Sequence, residues 1–186
     1  MKRYNIFIHL LISCCLISFD SICQKIYGAE RIILTKGIFN RVITIKELED
    51  FSNKGIKKGF IKKVLKKEDE LKLKNLLTKE HKAPLVLTSK LLSSNIGNII
   101  INRISKIIYP LRIEDDYTKG LAIKSATIKA LAEGNEKINV IKFLKAYPSK
   151  DVAINIDEVN KVIVKVESMS ELVEFFTNSP LDKLKE

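Results

Sequence analysis

The sequence predicts an α+β fold that is mostly α: an N-terminal β-hairpin and one further short strand, covered by about six helices. Three observations predict it. Two runs rich in Ile and Val, Arg31 to Thr35 and Arg41 to Ile45, flank the glycine-containing connection Lys36-Gly37-Ile38-Phe39-Asn40, which is hairpin chemistry. Beyond Thr44, apolar residues recur every three or four positions as far as Ala146, the period of helices that bury one face. Val152, Ala153, Ile154, Asn155 and Ile156 then return to strand character. A chain of 186 residues that is 46% hydrophobic is large enough to bury a core.

The elements follow in order. Thr44 suits the N-cap of the first helix, with Glu47 completing a capping box and Ile43 and Leu48 in hydrophobic-staple positions. Leu48 and Phe51 face inward, and Gly55 is the C-terminal stop. A second helix is expected directly beyond Gly55, with Ile56, Phe60 and Val64 on one face, followed by a helix carrying Leu73, Leu76 and Leu77. Pro84 fits the first turn of a short helix through Leu92, and Ser94 or Asn95 caps the next. In that helix Ile96, Ile100, Ile104 and Ile107 form a stripe that reads as core, widened by Ile99 and Ile108 and ended by Tyr109-Pro110. Asp115 or Asp116 caps a helix running to about Glu133, with Leu121, Ile128 and Leu131 inward, Ala122, Ala126 and Ala130 permitting close approach, and Gly134 as the stop. A helix over Ile138 to Ala146 ends before Pro148. After the third strand, Asp157 would cap a helix through Val159, Val162, Ile163 and Val166, although Val162, Val164 and Val166 also alternate as a strand does. A last helix carries Leu172, Val173, Phe175 and Phe176.

The N-terminus has the order of a secretory leader: Lys2 and Arg3, the apolar run Tyr4 to Phe19, then Asp20. Cleavage after Ala29 divides the chain into a signal peptide of residues 1–29, one globular domain of 30–178 and a tail of 179–186, while the small-x-small site Ser21-Ile22-Cys23 offers an earlier cut that also spares the first strand. The apolar run is shorter than the roughly 20 residues of a membrane span, so export is expected, to the periplasm or the thylakoid lumen. Cys14, Cys15 and Cys23 all fall within the leader, which removes disulfides, thiolate metal sites and cysteine nucleophiles from the mature chain. His81 is then the one remaining histidine.

Net charge is +11, and loss of Lys2, Arg3, Lys25 and Asp20 leaves 30 basic and 21 acidic residues, or +9. Residues 54–82 hold eleven lysines against Glu68, Asp69, Glu70 and Glu80. The lysines at 57, 58, 62, 63, 66 and 67 (Lys57, Lys58, Lys62, Lys63, Lys66 and Lys67) are therefore candidates for an anionic membrane surface. Nucleic acid is not expected as a partner, because lysines outnumber arginines 28 to 5 and bidentate phosphate recognition favours arginine.

No Gly-x-Ser-x-Gly elbow and no glycine-rich phosphate loop occurs, so no catalytic residue, metal ligand or cofactor is assigned. A serine triad would have to use His81. The ligand-site candidates are Tyr109, Asp115, Asp116 and Tyr147, where exposed aromatics beside helix ends would meet a helix cap.

From Ala29-Glu30-Arg31-Ile32 through ITIKELEDFSNKG, LKNLLTKE, the Gly97 to Ile108 helix and KALAEG to VIKFLKAYP and VAINI, the chain resembles a cyanobacterial domain of unknown function. That domain forms the N-terminal part of secreted proteins labelled α/β-hydrolases. The resemblance implies an exported protein of a photosynthetic bacterium. Longer relatives would continue into the hydrolase domain past the position of Glu186, so no triad residue carries over. Three readings follow: an accessory domain that binds an apolar ligand or a partner such as a separate hydrolase, an esterase-like hydrolase, or a membrane-surface protein.

Overall fold

The computed structural model describes residues 28–162. Residues 1–27 of the expected leader and the helical residues and tail expected beyond residue 162 lie outside them. The fold is α+β and mostly helical, as the sequence predicts. Strands β1 (Arg31–Lys36) and β2 (Phe39–Thr44) form the hairpin around a two-residue turn with Gly37 at φ 54°. The turn is tighter than the expected five-residue connection because Phe39 and Lys36 already pair.

Thr44 caps α1 (Ile45–Lys54) with the full capping box. Its hydroxyl accepts from the Glu47 amide at 3.1 Å, and its own amide donates to Glu47 Oε2 at 2.8 Å. Gly55 ends α1 in the left-handed conformation and donates back to Asp50 and Phe51.

The next helix corrects the expected register. Residues 55–58 are not helical, and α2 (Gly59–Val64) buries Ile61 while Ile56 and Val64 face solvent. Gly59 has φ 52° and stands against the Glu47 carboxylate, where a Cβ would lie 2.1 Å from Oε1, so the helix starts there and not at Ile56. Lys58 pairs with Asp50 at 3.2 Å and Lys57 pairs with Glu70, which ties the linker down.

Helix α3 (Lys67–Thr78) buries Leu77 but leaves Leu76 exposed. Pro84 is the N-cap of α4 (Leu85–Ser93), one position before the first turn, and Ser94 caps α5 (Asn95–Ile107) by accepting from the Gly97 amide at 3.0 Å. The isoleucine stripe of α5 meets the core only toward its C-terminal end, where Ile104 and Ile108 are half-buried against it. Gly97, Ile101 and Ser105 are buried, whereas Ile96, Ile99 and Ile100 are exposed.

Tyr109-Pro110 does not simply end α5, because Ile108–Pro110 forms a strand, β4. Asp115 caps α6 (Asp116–Glu133), which buries Ala122, Ala126, Ala130 and Leu131 as expected. Ile123 is buried in place of Leu121, which is exposed. Two short pieces that the sequence did not predict, β3 (His81–Lys82) and β5 (Lys137–Ile138), pair as an antiparallel ribbon. Helix α7 (Val140–Ala146) begins at the Asn139 cap, two residues later than expected. Strand β6 (Asp151–Asn155) is followed by helical residues 156–162, capped by Asn155 and not by Asp157. Asp157 instead accepts from the Gly37 amide at 3.2 Å, latching the hairpin turn.

The sheet order is β2-β1-β6-β4, with β1 and β6 parallel and the outer pairs antiparallel. Register places Ile32, Ile43, Val152 and Pro110 on one face, and Ile32, Ile43 and Val152 join Leu48, Phe51, Ala126 and Tyr147 in the core. Pro110 is tolerated because β4 is an edge strand, where its missing amide proton breaks no ladder.

Candidate functional site

Two of the concavities among the described residues lie at the sheet. The larger, about 680 Å³, is an apolar groove. Leu34 of β1 and Ile154 of β6 are paired residues on one sheet face and line it together with Ile108 of β4. Helix α3 contributes Leu73 and Leu76, and α7 contributes Val140 and Phe143. Its polar groups come from the β3–β5 ribbon and its flanks: Lys79, His81 and Asn139. The pairing of His81 with Ile138 brings these three positions to the same part of the groove. Asn139 Oδ1 is already committed to the Lys142 amide at 2.8 Å, whereas Lys79 has no ion pair among the described residues.

The second is a cleft of about 590 Å³ at the start of β1 and β6. Arg31 and Asp151 are register partners there and form a bidentate pair, Nε to Oδ1 at 2.7 Å and Nη2 to Oδ2 at 2.9 Å. That hydrogen-bonded carboxylate raises the Arg31 pKa further. Pro110, Arg112, Thr118, Leu121 and Pro148 line the rest.

The sequence-predicted ligand residues border this cleft without lining it. Tyr109 is half-buried, with Lys119 Nζ 5.5 Å from its ring centre. The Asp115 carboxylate accepts from the Thr118 amide at 2.8 Å and hydroxyl at 2.6 Å, and these bonds hold its pKa below the ordinary value. Asp116 is exposed and pairs with Lys119 at 3.2 Å. Tyr147 is not an exposed aromatic. It is fully buried, its ring meets Phe143 edge-on at 5.7 Å, and among the described residues its hydroxyl has no hydrogen-bond partner. The lining positions are their neighbours Pro110, Thr118 and Pro148.

Of the six candidate membrane lysines, Lys57 and Lys58 are held in ion pairs, and Lys62, Lys63, Lys66 and Lys67 are exposed. His81 is also exposed, and among the described residues no hydrogen bond joins it to a serine or a carboxylate. The hydroxyls of Ser52, Ser94, Ser105 and Ser149 donate to backbone carbonyls. Among the described residues no cluster of His, Cys, Asp and Glu is placed to hold a metal ion.

Sequence reasoning missed the groove. The one signal was an excess of apolar positions on α3, where Leu73, Leu76 and Leu77 are more than a short helix needs to reach the core.

These features define a small, mostly helical α+β protein with a mixed four-stranded sheet and an apolar groove against it. The chain belongs to the family described as alpha/beta hydrolases of unknown function (DUF1400), whose model matches residues 28–155, or 128 of the 186. Neither the curated proteins nor the solved structures offer a match.

Proposed function

We propose that this chain is an exported binding domain without chemistry of its own, whose groove holds a small apolar ligand of the acyl type. The single observation that carries this reading is the groove. Its volume, about 680 Å³, falls within the roughly 300–1,000 Å³ of small-molecule sites, and an apolar lining with a few grouped polar residues is their usual make-up. Lys79 and His81 suit the carboxylate or ester head of such a ligand, and the aliphatic walls suit its chain. The charged-then-apolar N-terminus supports export to the periplasm or thylakoid lumen.

A titration with a fluorescent fatty acid, cis-parinaric acid, tests it. Leu76 lines the groove yet is 63% exposed, so Leu76→Arg changes the site without emptying the core. The expected result is saturable binding that Leu76→Arg weakens by about tenfold or more, since a charge then faces the acyl chain. Equal affinity in both proteins would refute the assignment.

One observation favours the esterase reading: His81 stands at the polar part of the groove. Acyl-ester turnover by the purified protein that His81→Ala abolishes would replace the binding role with a catalytic one.

A further inference from the structure

We propose that the α4–α5 helical hairpin is a docking face for an anionic lipid bilayer. It stands independently of what the groove holds. Helix α4 is rich in Leu and Val, yet none of its residues is buried. Val86 and Leu87 are 66% and 65% exposed, with Leu91 on the next turn of the same face. On α5, Ile96 and Ile99 are 67% and 56% exposed, and Ile100 adjoins them. Close packing joins the two helices: a Cβ on Gly97 would lie 1.9 Å from the Leu91 carbonyl oxygen. Six large aliphatic side chains thus lie outside the core on two adjoining helices, more than scattered surface hydrophobes explain.

Charge selects the partner. From His81 to Ile113 the chain carries Lys82, Lys90, Arg103, Lys106 and Arg112 and no Asp or Glu; the bounding acids are Glu80 and Glu114. Glu136 approaches from outside the segment, but its Oε1 is occupied by the Leu85 amide at 2.9 Å. Aliphatic residues framed by cations, with no acid to repel phosphate, are the composition of an interfacial helix on anionic lipid. The lysine-rich stretch at 54–82 is less suited, because Glu68, Asp69, Glu70 and Glu80 are interspersed and Lys57 and Lys58 are spent on carboxylates of the fold.

The chain has no tryptophan, so Leu87→Trp and, separately, Ile99→Trp each introduce one local reporter, and Ile38→Trp on the hairpin turn serves as a control. A local readout is needed because the apolar run Tyr4 to Phe19 would by itself bring the full chain to vesicles. With phosphatidylglycerol vesicles carrying brominated acyl chains, the indoles at 87 and 99 should shift to the blue and be quenched about twofold, while that at 38 stays unquenched. Adding Arg103→Glu and Lys106→Glu should weaken the effect by about tenfold or more. No quenching at 87 and 99, equal quenching at 38, or equal quenching in phosphatidylcholine would each overturn the proposal. A blue shift that grows with protein concentration in the absence of vesicles would also overturn it, by assigning the face to a second copy of the chain.

Discussion

Tyr147 combines a large buried ring with a hydroxyl that no group among the described residues satisfies. Leaving such a group unpaired costs about 1–3 kcal/mol, so Tyr147→Phe is expected to be neutral or to stabilise the fold by about 1 kcal/mol in urea unfolding. Burial also raises the phenol's pKa above its ordinary value. The neutral form is then favoured in the folded state, so its contribution is intact below the unfolded pKa near 10 and is lost as pH rises further. Wild-type stability should therefore fall above about pH 10 by up to about 1.4 kcal/mol per pH unit more steeply than that of Tyr147→Phe; parallel pH profiles would contradict the buried, unpaired state. Local chemistry of this kind is partly legible in sequence. The Thr44–Glu47 box and the Asp115 cap were readable because both partners lie within three residues. Glu136 was not, since it caps α4 from 51 positions away, on a backbone turned to φ 61°.

At the scale of elements, α5 shows why an isoleucine stripe misled. Ile96, Ile100, Ile104 and Ile107 satisfy helical spacing, but Gly97, Ile101 and Ser105 do as well, and the second set is the fully buried one, while Ile104 of the first packs against the core from its edge. Close approach decides between them: a Cβ on Gly120 of α6 would stand 3.1 Å from Ile101 Cγ2. A small-residue face brings backbones together, whereas the larger isoleucines would hold them apart. Gly97→Ala measures this. Helix propensity favours alanine by about 1 kcal/mol, but the new methyl would sit 1.9 Å from the Leu91 carbonyl oxygen, which belongs to backbone and cannot rotate away. The clash should win, with a net loss of about 1–3 kcal/mol in urea unfolding; a stabilised variant would mean that α4 and α5 do not pack this way. The register of α2 failed for a related reason, because the left-handed Gly59 delays the helix beyond Ile56.

The whole molecule depends on pairing between distant segments. Strand β1 is flanked by β2, its neighbour in sequence, and by β6, which begins more than a hundred residues later. The hairpin and the strand character of β6 were visible in short windows, but their parallel union and the edge strand β4 were not, since Ile108–Pro110 is too short to announce itself. The groove belongs to this level: β1, α3, the β3–β5 ribbon, α7 and β6 each give it residues that locally resemble core. At the charged cleft, Tyr109 and Tyr147 are chain neighbours of the lining residues Pro110 and Pro148, and Asp115 stands three positions before Thr118, because turns and caps mark element ends where concavities form. The most direct measurement is native mass spectrometry of the chain mixed with 4-nitrophenyl dodecanoate, with nitrophenolate absorbance followed in the same sample. A binding domain with an apolar groove should gain the mass of one intact ester while nitrophenolate appears no faster than in buffer. Protein-dependent nitrophenolate release that His81→Ala abolishes, or the absence of any bound mass, would contradict it.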